Sequence, residues 1–186
     1  MDLDWTSQLT DQLDRHWHAQ LRPRLDGLTD DEYFWEPVPG CWNIRPRDAA
    51  TAPDAPGTGD FTVDFAFPPP TPPPVTTIAW RLSHIIVGVL GMRAAAHFGG
   101  PPVDYATHRY AGTAAEALGQ LDAAYRAWSS GARALTAEAL AVPCGPAEGP
   151  YAEVPMATLV LHINRETIHH GAEIALLRDL YLRQAR

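Results

Sequence analysis

Apolar residues recur at helical spacing in several stretches of this chain. Between residues 4 and 26, Leu9, Leu13, Trp17, Leu21 and Leu25 return every four positions and form one apolar stripe. Pro23 falls in the last turn, where its missing N–H predicts a kink or an early end. "GLTDDEYFWEP" then offers Gly27 as a stop and Thr29 or Asp30 as the cap of a short second piece. In "VTTIAWRLSHIIVGVLGMRAAAHF", Thr76 or Thr77 caps a second long helix, and Gly99-Gly100-Pro101 ends it. A third spans about residues 113–140, with a break expected near Ser129 to Gly131. A fourth begins near Pro155, a residue suited to a first helical turn, and runs to about Arg183. Helices of this number and length predict an all-α fold, a four-helix bundle.

Residues 37–75 break the pattern. They are rich in Pro, Gly and Asp, and form a long insertion between the first and second long helices. Only "FTVDFAF" alternates, which places Phe61, Val63, Phe65 and Phe67 on one side of a lone edge strand or extended lid. A loop this long is usually functional or disordered; Trp42 and the Phe alternation favour ordered packing, at the mouth of a pocket. The whole chain, residues 1–186, is expected to form one helical domain.

Composition narrows the function. The apolar fraction of 46% argues against general disorder. A net charge of −8, with no lysine and every basic residue an arginine, argues against nucleic acid as a partner. Cys41 and Cys144 fit no CxxC spacing and read as two reduced thiols of a cytosolic protein. The N-terminal "MDLDWTSQLTDQLDRHW" carries acids where a secretory signal has basic residues. The longest apolar run, "IIVGVLGM", is far shorter than the ~20 residues that span a bilayer. The expectation is a cytoplasmic protein with no membrane partner, a monomer or a homodimer.

The chemistry concentrates in "LHINRETIHHGAEIALLRDLY", residues 161–181. At about 100° per residue, with Leu180 at zero, His162 lies at about 0°, Glu173 at about 20°, Glu166 at about 40° and His170 at about 80°. Leu159, Ile163, Ile174 and Leu177 fall between about 60° and 120°, so the titratable and apolar stripes overlap. The simplest resolution turns His162, Glu166, His170 and Glu173 into the bundle, where charges need each other, an arginine or a metal. Glu166 and His170 are one turn apart and can reach one ion. His84 of "WRLSHII", between Leu82 and Ile85, is the third candidate. Two histidines and a carboxylate suit zinc or another borderline divalent metal such as nickel, with positions left open for water or substrate.

These residues carry a resemblance. "NRETIHHGAEI" resembles the HxxxH-bearing last helix of the DinB-like superfamily, which includes mycothiol- and bacillithiol-dependent S-transferases and mycothiol-dependent maleylpyruvate isomerases. Glu166-x-x-x-His170 is similar to the isomerase variant, in which the first residue of the pair is Glu. "TTIAWRLSHI" and "GLTDDEYFWEPVPGCWNIRPR" resemble the ligand segment of the second helix and the turn after the first. The resemblance is weakest over residues 48–74. A pair ending at His169 would put Arg165 in a ligand slot, which an arginine cannot fill. The family implies a DinB-like bundle, a divalent metal on His84, Glu166 and His170, and a thiol cosubstrate whose sulfur binds the metal and attacks a small-molecule electrophile.

Around that trio, His162 reads as a proton shuttle or substrate contact, and otherwise as a neighbour of Glu166. Arg165 reads as a binder of a substrate carboxylate or as a plain salt bridge. Glu173 either orients a ligand imidazole or pairs with Arg81 or Arg178. His169, His16 and His18 read as surface histidines, Arg178 and Asp179 as a local pair, and His97 and His108 as belonging to no constellation. Three functions compete: a metal-dependent enzyme of thiol transfer or isomerisation, or of hydrolysis; a non-catalytic metal-dependent binder; and a metal-free bundle with an internal ion-pair network.

Overall fold

Helix starts in this chain are set by side chains that answer free amides. Asp4, Thr29, Thr77, Thr113 and Thr136 each accept a hydrogen bond from the backbone N–H three residues on, contacts of about 1 kcal/mol apiece. The computed structural model describes residues 3–52 and 54–184; Met1, Asp2, Pro53, Ala185 and Arg186 lie outside it. The described residues are mostly helical, with one two-stranded antiparallel sheet.

The first long helix covers residues 5–24. Its expected irregularity appears one turn ahead of Pro23, over Trp17–Leu21, where the Arg22 N–H reaches back to the Trp17 carbonyl. That i→i−5 turn lies where the proline ring would crowd a regular α-turn. Leu13, Trp17, Leu21 and Leu25 are all buried. Thr29 caps the short helix Asp30–Tyr33.

The second long helix is Ile78–Phe98. By length and mean hydropathy it would pass as a membrane span, but 67% of its apolar window is buried within the fold. Its stretch His84–Gly91 is widened, the Met92 N–H reaching back to Val87; nothing in the apolar periodicity predicted this. Gly99, at φ 87°, takes the chain out of it.

The third helix corrects an expectation. It runs unbroken from Ala114 to Arg133, and the break falls at residues 134–136, before the short helix Ala137–Ala141. Gly131 is not a breaker: a Cβ there would overlap the Phe98 ring, so the glycine lets the second and third helices approach. The fourth long helix, Met156–Gln184, packs against the first and second.

The insertion is ordered around a small sheet. Ile44–Pro46 pairs with Phe61–Val63 in the register Ile44↔Val63, Arg45↔Thr62, Pro46↔Phe61. The expected strand to Phe67 stops at Val63, and it is paired rather than lone. Asp64 ends the alternation: it is buried and accepts from the Asn43 N–H, Arg45 Nε and the Thr51 hydroxyl. Phe65 and Phe67 consequently turn outward, Phe67 being 88% exposed. The Trp42 carbonyl accepts from the Thr77 N–H, and Trp80 Nε1 donates to the Asp64 carbonyl, so the insertion is fastened to the start of the second helix.

Candidate metal centre

The buried arc of the fourth helix holds Leu159, Ile163, Thr167, His170, Ile174 and Leu177. Its centre is further round than the overlap of stripes suggested. His170, on the edge of this arc, is 7% exposed, while Glu166 and Glu173 sit at its rim. His162 does not turn inward as expected; its side chain is 41% exposed. The angular cause is plain: His162 shares the direction of Leu180, which is itself exposed.

The second helix brings His84 to the same place, at the first residue of its widened stretch. Inserted turns of this kind often mark functional sites. One ligand atom each from His84, Glu166 and His170 lies within 4.8 Å of the others. The His84 and His170 rings stand edge to face, 4.7 Å apart. Both imidazoles are held from behind through Nδ1. His170 Nδ1 is 2.7 Å from Glu173 Oε2, and His84 Nδ1 is 2.8 Å from the Tyr105 hydroxyl. That leaves the two Nε2 atoms as the free donors; His170 Nε2 is 3.4 Å from Glu166 Oε2. Outer partners that fix a ring in this way accompany most metal-binding histidines.

The electrostatics suit a ligand. Burial, followed by His170 and Arg81, pushes His84 down to about 4, so the imidazole is neutral near pH 7, the form that can coordinate a metal. Arg81 anchors the second layer, with Nε 3.1 Å from Glu173 Oε2 and a terminal nitrogen 3.3 Å from His170 Nδ1. Burial lowers the Arg81 pKa and Glu173 opposes the shift. Trp80 stacks over His84 at 5.5 Å, and the Arg81 guanidinium lies over the Trp80 ring. The donor set therefore fits a divalent cation, with His84, Glu166 and His170 as the residues that would hold it.

The other expected residues fall as follows. Glu173 contacts both His170 and Arg81. Arg165 is exposed, 2.7 Å from His162 Nδ1 and 3.6 Å from Glu166 Oε1, and His162 is also 3.6 Å from Glu166. His162, Arg165 and Glu166 thus form a half-exposed row beside the trio. His169 is exposed and leans on Glu173 at 3.5 Å. His18 is exposed, but His16 is half-buried with Nε2 unpartnered. Arg178 is no local partner of Asp179; it reaches Glu32 at 2.6 Å. His97, expected to stand alone, meets Glu148 at 2.9 Å.

Sequence reasoning named Arg81 as a partner of Glu173, which the structure bears out, but missed Tyr105. Tyr105 lies in "PPVDYATHRY", where no periodicity assigns a direction. The available signal was Gly88, a lone glycine inside an apolar helical run.

A model of the DinB superfamily matches residues 12–174, a span that includes His84, Glu166 and His170. No curated protein and no solved structure matches the chain.

Proposed function

Because the chain belongs to the DinB superfamily, we propose that it is a metal-dependent enzyme using a low-molecular-weight thiol, of the S-transferase or isomerase type. The observation that carries this reading is the meeting of His84, Glu166 and His170 donors within 4.8 Å, with both Nδ1 atoms engaged elsewhere. Zinc, or another borderline divalent cation such as nickel, suits that donor set. Three protein ligands leave a position open, the arrangement of catalytic rather than structural sites. A bound cation of this kind lowers the pKa of a coordinated thiol and supplies a nucleophile at neutral pH.

The chain's own residues do the remainder. Glu173, held by Arg81, keeps the His170 ring in place. Trp80 covers one face of His84 and keeps water from it. His162, within 3.6 Å of Glu166, carries a proton between the site edge and solvent. Arg165 offers an exposed cation to an anionic group of the thiol or of the electrophile.

The test starts with protein purified without a histidine tag. One equivalent of divalent metal, lost in both His84→Ala and His170→Ala, is the expected result of metal analysis. The metal form is then mixed with low-molecular-weight thiols and monochlorobimane. A conjugation rate above the uncatalysed reaction is expected with at least one thiol; none across the set would sink the transferase reading.

One observation favours a second reading. The Arg81–Glu173–His170 contacts form an internal network that needs no cation. A protein that purifies free of metal and melts identically with and without chelator would support that network instead.

A further inference from the structure

The segment between the second and third long helices crosses beside His84. From it, Tyr105 lays its ring nearly parallel to the imidazole, 6.5 Å between centroids at 16°, and sets its hydroxyl 2.8 Å from Nδ1. Gly88, one turn beyond His84, makes the room. A Cβ at Gly88 would overlap the Tyr105 hydroxyl oxygen and come within 3.3 Å of His84 Nδ1. Glycine inside a helix costs up to about 1 kcal/mol relative to alanine, and here that cost coincides with the contact it permits.

Tyr105 is held from the other side by the insertion. Its carbonyl accepts from the Tyr110 hydroxyl at 2.9 Å. The Gly57 N–H donates to the Ala106 carbonyl, the Thr58 N–H to the His108 carbonyl, and the Thr58 hydroxyl to the Thr107 carbonyl. Gly57, at φ 122°, occupies backbone space open to glycine, and a Cβ there would lie 2.6 Å from the Tyr110 ring. A continuous line of contacts therefore runs from the Pro- and Gly-rich insertion through residues 106–110 to Tyr105 and on to His84.

The direction of the hydrogen bond decides what this does. A phenol that donates to Nδ1 puts the imidazole proton on Nε2 and closes the site to a cation. A phenol oxygen that accepts from Nδ1–H leaves the Nε2 lone pair free. A phenol oxygen carries lone pairs, so at 2.8 Å from Nδ1 it can take that accepting part.

We propose that Tyr105, braced by the insertion, is a positioning residue for His84: its oxygen accepts the Nδ1 proton and presents Nε2 to a divalent cation. The inference rests on the metal site proposed above. It extends that site to the insertion by a route separate from the Asp64–Trp80 contact.

The experiment titrates chelator-stripped wild type, Tyr105→Phe and Gly88→Ala with zinc and with cobalt(II). Tyr105→Phe is expected to keep the melting temperature of the metal-free protein, to bind either ion about 10–100-fold more weakly, and to shift the visible bands of the cobalt form. Gly88→Ala is expected to give the same affinity loss and band shift, since its methyl displaces the phenol. If Gly88→Ala fails to fold, Tyr105→Phe decides alone. Wild-type affinity together with an unchanged cobalt spectrum in Tyr105→Phe overturns the positioning role and leaves the metal site standing. A wild type that takes up neither ion overturns the metal site itself and this inference with it.

Discussion

Two histidine–glutamate groups lie along the second long helix, about 20 Å apart by helical rise, and they differ in one respect. At the far end, His97 Nε2 is 2.9 Å from one oxygen of Glu148 and Arg93 is 3.3 Å from the other. The Glu148 side chain is only 6% exposed, and both of its oxygens are taken. A cleft of about 320 Å³ opens beside it, lined by Met92, Arg93, Val103 and Ala147 among others. At the near end, Glu166 sits 3.4 Å from His170, 3.6 Å from His162 and 3.6 Å from Arg165. Each of these distances exceeds an ordinary hydrogen bond. The residue types match; the spare donor capacity does not. A buried carboxylate already closed by a guanidinium and an imidazole is a finished ion pair. A half-exposed carboxylate whose neighbours stand a few tenths of an ångström too far, with the free His170 Nε2 among them, can still accept a cation.

Substitution should separate the two groups. The largest effect is expected from His170→Ala, which should abolish stoichiometric metal uptake; retention of one equivalent, measured by elemental analysis, would break the comparison. Next, Glu148→Ala should cost about 3 kcal/mol of stability in urea unfolding, because it removes the buried carboxylate that Arg93 and His97 share. Its metal content should stay at the wild-type level; loss of metal there would mean that the two groups are coupled. Stripping metal from wild type should lower stability by about 2.7 kcal/mol relative to protein held at a hundredfold excess over Kd. The same difference is expected in Glu148→Ala, and none in His170→Ala. The smallest effect belongs to Glu173→Gln, which keeps the trio but weakens the brace on His170: about a tenfold loss of zinc affinity in competition with a chromophoric chelator.

Helix positions were legible because burial follows a simple period. Leu13, Trp17, Leu21 and Leu25 all reach the core as spaced. Gly131 misled because a glycine needed for a close helix contact looks, in one dimension, like a glycine that ends a helix. Pro23 announced the first widened turn, but nothing announced the second at His84–Gly91, since a local pattern does not reveal a hydrogen bond displaced by one residue. At the site, the one-turn spacing of Glu166 and His170 was enough to pair them, and His84 followed as the histidine on the neighbouring apolar helix. Tyr105, Arg178 with Glu32, and His97 with Glu148 needed the third dimension. Their partners lie 21, 146 and 51 residues away, and no periodicity links them.

Asp64 carries a last consequence. Its side chain gathers Asn43, Arg45 and Thr51, and its carbonyl holds the indole of Trp80, the residue stacked on His84. With Thr58 tied to residues 107 and 108 as well, the insertion is fastened both to the start of the second helix and to the segment that carries Tyr105. Both aromatic neighbours of His84, Trp80 and Tyr105, therefore answer to the insertion, so a change within it should be felt at that histidine from two directions.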